Sequence, residues 1–77
     1  MNNKVSCSWS LFKKYLIIQR SGIYNMATDW VKIISILNCS KEQYFDILKN
    51  YKIYKDKYKD KKISDMDIEE IKSKIVF

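Results

Sequence analysis

The chain has 77 residues, a net charge of +6, 47% apolar residues, one glycine, no proline and no histidine. That length makes one domain with a core marginal for its surface, and the apolar share excludes a disordered tail. Without histidine, Ser-His-Asp and Cys-His pairs are impossible, and a single glycine builds neither a phosphate loop nor a dinucleotide fingerprint.

The chain reads as helices joined by short turns. "VSCSWSL" alternates apolar residues with serine, a strand pattern, so residues 4–8 stay open between strand and helix and 1–8 form an N-terminal arm. The first helix spans residues 9–20, with Ser8 or Ser10 as its cap. Val5, Trp9, Phe12 and Leu16 form one apolar stripe; Leu11, Tyr15 and Ile18 form another on nearly the opposite side. A helix apolar on two sides is either central to the fold or shared with another chain, and self-association is expected on that ground.

Gly22 supplies a left-handed residue that closes this helix. Asn25 caps the next, whose buried face is Met26, Trp30, Ile33, Ile34 and Leu37, with Asp29 in its first turn. Ser40 and Gln43 form a capping box that opens a third helix. Its stripe of Tyr44, Ile47, Leu48, Tyr51, Tyr54 and Tyr58 predicts one continuous element. Ser64 and Asp65 open a short fourth helix with Ile68, Ile71 and Ile75 on one face. The expected fold is therefore all-α, a small bundle of three helices plus a short C-terminal helix. Residues 9–63 form its core and 64–77 the last helix, in a single domain over 1–77.

Cys7 and Cys39 are expected to be reduced thiols in a cytosolic protein, because no secretory segment is in view. The apolar windows "YLIIQ" and "VKIISIL" fall short of the ~20 residues a membrane span needs. No metal site is expected. Two cysteines without histidine make a poor zinc site. Asp65, Asp67, Glu69 and Glu70 sit at a helix N-terminus, where carboxylates are favoured by the macrodipole alone.

Charge is uneven. Lysines crowd residues 41–62, and residues 65–70 turn acidic. A basic segment attracts polyanions or acidic protein faces, although a lysine-biased composition accounts for much of it without any binding role. Tyr51, Tyr54 and Tyr58 belong to the packing stripe first and to a ligand second; aromatics among lysines are also the composition of nucleic-acid binders. The surface selected for partner binding combines Lys49, Lys52, Lys57, Lys59 and Lys62 with Tyr54 and Tyr58. "IISILNCSKEQYFDIL" also has the outline of a helix-turn-helix, in which Lys41, Gln43 and Lys49 would meet DNA. Glu42 and Asp46 on that surface discourage the approach of phosphates.

"IIQRSGIYNM", an apolar helix and then "YFDILKNYKIYKDKY" resemble a family of short phage and prophage proteins of unassigned function. The matching residues are Ser21, Gly22, Asn25 and Met26, then Ile47, Asn50, Tyr51 and Tyr58, within residues 11–58; Ala27 departs from the bulky residue the pattern carries. The resemblance implies a phage accessory protein in the bacterial cytoplasm. It implies a non-enzymatic protein without cofactor that inhibits a defence protein or ribonucleoprotein complex, as anti-CRISPR proteins do. The alternatives are a small helix-turn-helix DNA-binding protein and a sponge for anionic nucleotide signals, an oligomer gathering lysines around phosphates.

Overall fold

Among the described residues three helices begin at a serine whose side chain caps a free amide, and two end at a left-handed residue. The computed structural model describes residues 7–75, and all its regular elements are helices. Most of the arm over 1–8, including Val5, lies outside the described residues, as do residues 76 and 77.

Helix α1 spans Trp9–Ser21. Ser8 caps it, its Oγ accepting from the Leu11 amide at 3.2 Å. Gly22 closes it at φ 71°, its amide donating to the Gln19 carbonyl. A short helical turn follows before α2. Asn25 Oδ1 accepts from the amides of Ala27 and Thr28 at 2.9 and 3.0 Å. Asn25 therefore caps this turn, while α2 itself begins one turn later, at Trp30–Leu37. Asp29 stands at the N-cap, and its carboxylate reaches back to the Asn25 amide at 2.8 Å. Asn38, left-handed at φ 57°, ends α2; asparagine tolerates this region better than most residues.

Helix α3 spans Lys41–Lys49 behind the expected capping box: Ser40 Oγ accepts from the Gln43 amide and Gln43 Oε1 from the Ser40 amide. The continuous third helix expected from the tyrosine stripe is interrupted. Asn50 lies at φ −110°, ψ 26°, and the chain resumes as α4 over Tyr51–Lys57. Helix α5 spans Asp65–Lys74, capped reciprocally by Ser64 and Asp67. Among the described residues five helices thus stand in place of three plus one, because side-chain chemistry around Asn50 divides an element whose apolar periodicity runs on.

The division has a visible cause. Asn50 Nδ2 donates to Asp46 Oδ1 at 2.7 Å, and the Tyr54 hydroxyl donates to Asp46 Oδ2. One carboxylate draws residues four and eight positions ahead towards itself. Backbone bonds from Asn50 to Asp46 and from Tyr54 to Asn50 survive the bend. It is a kink rather than a break, with a polar side-chain network at its apex.

The core forms around α1, whose Phe12, Tyr15, Leu16, Ile17 and Ile18 are buried. Ile33 and Leu37 of α2, Tyr44 and Ile47 of α3, Tyr54 of α4, and Ile71 and Ile75 cover it from several directions. The described residues of both apolar stripes of α1 are therefore buried or half-buried within one chain, and the helix is central to the fold. The Phe12 ring has the rings of Tyr15, Tyr51, Tyr54 and Tyr58 around it at 5.8–6.1 Å between centroids, within the range in which aromatic pairs add to simple burial.

Tyrosine suits several of these positions because its hydroxyl finds an acceptor away from its own turn. Tyr44 donates to the Met26 carbonyl at 2.6 Å, Tyr51 to Gln19 Oε1 at 3.3 Å and Tyr58 to the Cys7 carbonyl at 2.7 Å. Burial pushes the Tyr44 phenol up to about 12. Among the described residues no charged or polar side chain is fully buried.

A basic cleft as the candidate functional site

Two sequence features meet at one surface: the lysines that follow α4, and the partly covered side of α1. Helix α5 packs on α1. Lys13 fixes that packing, its ammonium 3.0 Å from the Asp67 carboxylate. The chain between α4 and α5, residues 58–64, runs along the other edge. Between these walls lies a cleft of about 950 Å³.

Its floor is aliphatic and aromatic: Phe12, Leu16 and Ile17 from α1 and Ile75 beyond α5. These residues are nearly sealed, Phe12 at 1% and Leu16 at 6% exposure. The apolar surface that a ligand would touch comes instead from the half-buried walls, Trp9, Tyr58, Ile63 and Ile68, and from exposed Ile23. Trp9 and Tyr58 pack on each other at 5.4 Å between ring centroids. The Tyr58 hydroxyl is held by the Cys7 carbonyl, so this wall is fixed at its tip.

The rim is cationic. Arg20 stands in the last turn of α1, Lys55 lies on α4, Lys59, Lys61 and Lys62 follow it, and Lys72 lies on α5. All six are exposed, and among the described residues no carboxylate lines the cleft. Like charges gathered around a low-dielectric wall focus a positive potential into it. An apolar trough with a positive rim holds ligands that carry apolar surface and negative charge together.

Of the residues selected from sequence, the cleft brings together Tyr58, Lys59 and Lys62. Lys49 and Lys52 are exposed but lie outside it. Lys57 is also outside, its ammonium 5.4 Å from the centre of the Tyr58 ring. Tyr54 does not belong to any surface. Its ring is 5% exposed, and its hydroxyl serves the Asp46 carboxylate and accepts from the Cys7 amide at 3.2 Å. Desolvation, and then the Asp46 bond, push its phenol up to about 12.

Arg20, Lys55, Lys61 and Lys72 complete the rim and were not selected from sequence. Lys55 and Lys61 stood in the basic run without a stripe to single them out. Arg20 and Lys72 reach the cleft only because α1 and α5 pair across some fifty residues of chain, a distance over which no local pattern speaks.

The residues proposed for DNA reading are engaged differently. The Gln43 carbonyl is spent on its capping box. Lys41 stands over the Trp30 ring at 5.3 Å, and Trp30 packs on Phe45. Lys49 is exposed in the last turn of α3. This end of α3 is therefore organised by contacts to its own chain.

Cys7 and Cys39 are both free thiols. Burial, reinforced by the Asp46 carboxylate, pushes the Cys7 thiol up to about 11, and burial raises that of Cys39. Raised thiols are poor nucleophiles at neutral pH. Among the described residues no cluster of cysteine and carboxylate side chains could hold a metal ion, and no helix is long and apolar enough to cross a membrane. Compared with protein-family models, with curated proteins and with solved structures, the chain matches none.

Proposed function

We propose that the protein is a non-enzymatic binding protein that holds an acidic partner in its basic cleft. The observation that carries this reading is the juxtaposition, among the described residues, of an apolar trough with six cations and no carboxylate. The side chains that line the trough bind and orient; none is a general base near neutral pH, since histidine is absent from the chain.

The resemblance of residues 11–58 to short phage and prophage proteins supplies the class of partner. On that basis the target is a component of a bacterial defence system, as for anti-CRISPR proteins, and the protein acts in the bacterial cytoplasm by occupying a surface of its target. The defence complex itself, whether protein alone or ribonucleoprotein, offers the acidic surface that the cations favour.

The test is plaquing of a phage on a host whose CRISPR system targets it, with the protein expressed in the host. The expected result is restored plaquing with the wild-type chain and its loss with Lys59→Glu/Lys62→Glu. The two lysines lie in an exposed turn, so the thermal unfolding curve should be unchanged. Equal plaquing with and without the wild-type protein, across hosts carrying different defence systems, rejects the defence target.

A further inference from the structure

Resting on that reading of the cleft, we infer that its occupant is an amphipathic helix of the partner, with a ridge of apolar side chains flanked by carboxylates. The shape of the trough sets the size of its occupant. Along α1 the trough is lined from Trp9 to Ser21, at residues 9, 12, 16, 17, 20 and 21. This is the spacing of one helix face followed over the 13 residues of α1, a length of about 18 Å. A volume of about 950 Å³ spread over that length leaves a cross-section of about 50 Å². A helix with its side chains is about 10–12 Å across, so the trough admits roughly half of it. One face sinks in and the other stays in water, the geometry by which grooves receive amphipathic helices.

The chemistry of the walls separates this occupant from a nucleic acid strand. Bases need open aromatic faces on which to stack. The aromatic walls, Trp9 and Tyr58, are packed on each other, and the rest of the apolar surface is isoleucine. Ile63 and Ile68 on opposite edges suit branched and long aliphatic side chains of a helix ridge. The cations then fix the character of the flanks. Lys55, Lys59, Lys61 and Lys62 stand along one edge, with Lys72 on the other and Arg20 near the end of α1. Glutamates on both shoulders of the ridge meet them.

The molecule carries its own reporter. Trp9 is in the cleft wall, and the chain's other tryptophan, Trp30, is packed on Phe45 elsewhere. In a Trp30→Phe background, Trp9 emission reads occupancy of the cleft. The probe is a synthetic peptide of about 15 residues, free of aromatic residues, with leucines at helical spacing and glutamates on both flanks. The comparison probes are the same peptide with glutamine for glutamate, a permuted peptide with leucines in alternation, and oligothymidylate of similar length.

The expected result is a saturable blue shift with the glutamate peptide. Its dissociation constant should rise about tenfold or more in Lys59→Glu/Lys62→Glu, and also when glutamine replaces glutamate. No saturation with the glutamate peptide, equal binding of the permuted peptide, or tighter binding of oligothymidylate each overturns the inference. The two readings fail separately. If plaquing depends on Lys59 and Lys62 but the peptide does not bind, the cleft remains the binding site and the helical occupant is wrong. If the peptide binds through those lysines and plaquing is never restored, the occupant stands and the defence target is wrong.

Discussion

Gly22 shows how much of this fold turns on single backbone positions. A β-carbon built there meets no atom within 4 Å, so there is room for a side chain. The restriction is the positive φ, which costs an L-residue about 1–2 kcal/mol. Gly22→Ala should therefore lower stability by about 1 kcal/mol and Gly22→Val by about 2 kcal/mol, because a β-branched residue fits the left-handed region worst. Gly22→Asn should lie closest to wild type. Urea unfolding of the three variants checks the order, and equal stability of Gly22→Val and wild type would remove the account of this turn. The cysteines offer a second measurement at this scale. Cys7 is buried and held protonated more firmly than half-buried Cys39. Timed iodoacetamide labelling of the native protein at mildly alkaline pH, read by mass spectrometry, should modify Cys39 first and Cys7 only with local opening.

Among the elements, α3 and α4 show why the sequence was only partly legible. The caps were readable: Ser40 with Gln43 and Ser64 at the start of α5 are local signals, and both stand where they were expected. The kink was not, because the tyrosine stripe keeps its period through Asn50 while the polar side chains Asp46, Asn50 and Tyr54 bend the backbone beneath it. Periodicity reports which face is buried, not whether the axis is straight.

The kink has a pH signature. A phenol pushed up to about 12 in the fold, from an ordinary 10, contributes stability that is complete below pH 10 and is lost as pH rises towards 12. Tyr54→Phe should cost about 1–3 kcal/mol at neutral pH, since it strips a buried donor and acceptor of their partner. It should also flatten the decline of stability above pH 10, measured by urea unfolding across that range. Where α5 docks on α1, the Lys13 ammonium and then the Ser64 hydroxyl hold the Asp67 carboxyl below its ordinary 3.8. Its contribution is present above pH 3.8 and is lost as pH falls through the lowered value. Asp67→Asn keeps an oxygen for the cap but loses the ion pair. It should unfold at lower urea than wild type at pH 5, and the gap should narrow near pH 3.

For the molecule as a whole, the doubly apolar α1 was the strongest long-range clue in the sequence, and it allowed two outcomes. The structure takes the intramolecular one: Phe12, Tyr15, Leu16, Ile17 and Ile18 are all covered by the chain's own helices. Among the described residues the large apolar side chains left exposed are Ile23, Val31, Phe45, Ile53 and Met66, the last four on four different helices. With its buried residues engaged in the core, α1 no longer calls for a second copy, and equilibrium sedimentation should return a single 9.3 kDa species. The molecule is flat, 40 × 27 × 17 Å. In a flat body of short helices the covering over the central helix is thin, and the cleft lies above its nearly sealed side chains Phe12, Leu16 and Ile17. The basic run told which residues carry charge, but it took the pairing of α1 with α5 to show which charges share a rim.

That pairing also orders events while the chain is being made. Helix α1 leaves the ribosome early with two apolar faces, and α2 to α4 can cover it as they follow. Ile71 and Ile75 arrive last, after every other element they pack with has been synthesised. Until then the side of α1 that faces the cleft lacks the wall made by α5, and transiently exposed apolar surface of that kind is prone to stray association. The same long span slows the final step, because a loop of dozens of residues closes only after its entropy is overcome. The cleft is thus the last part of the molecule to acquire its shape.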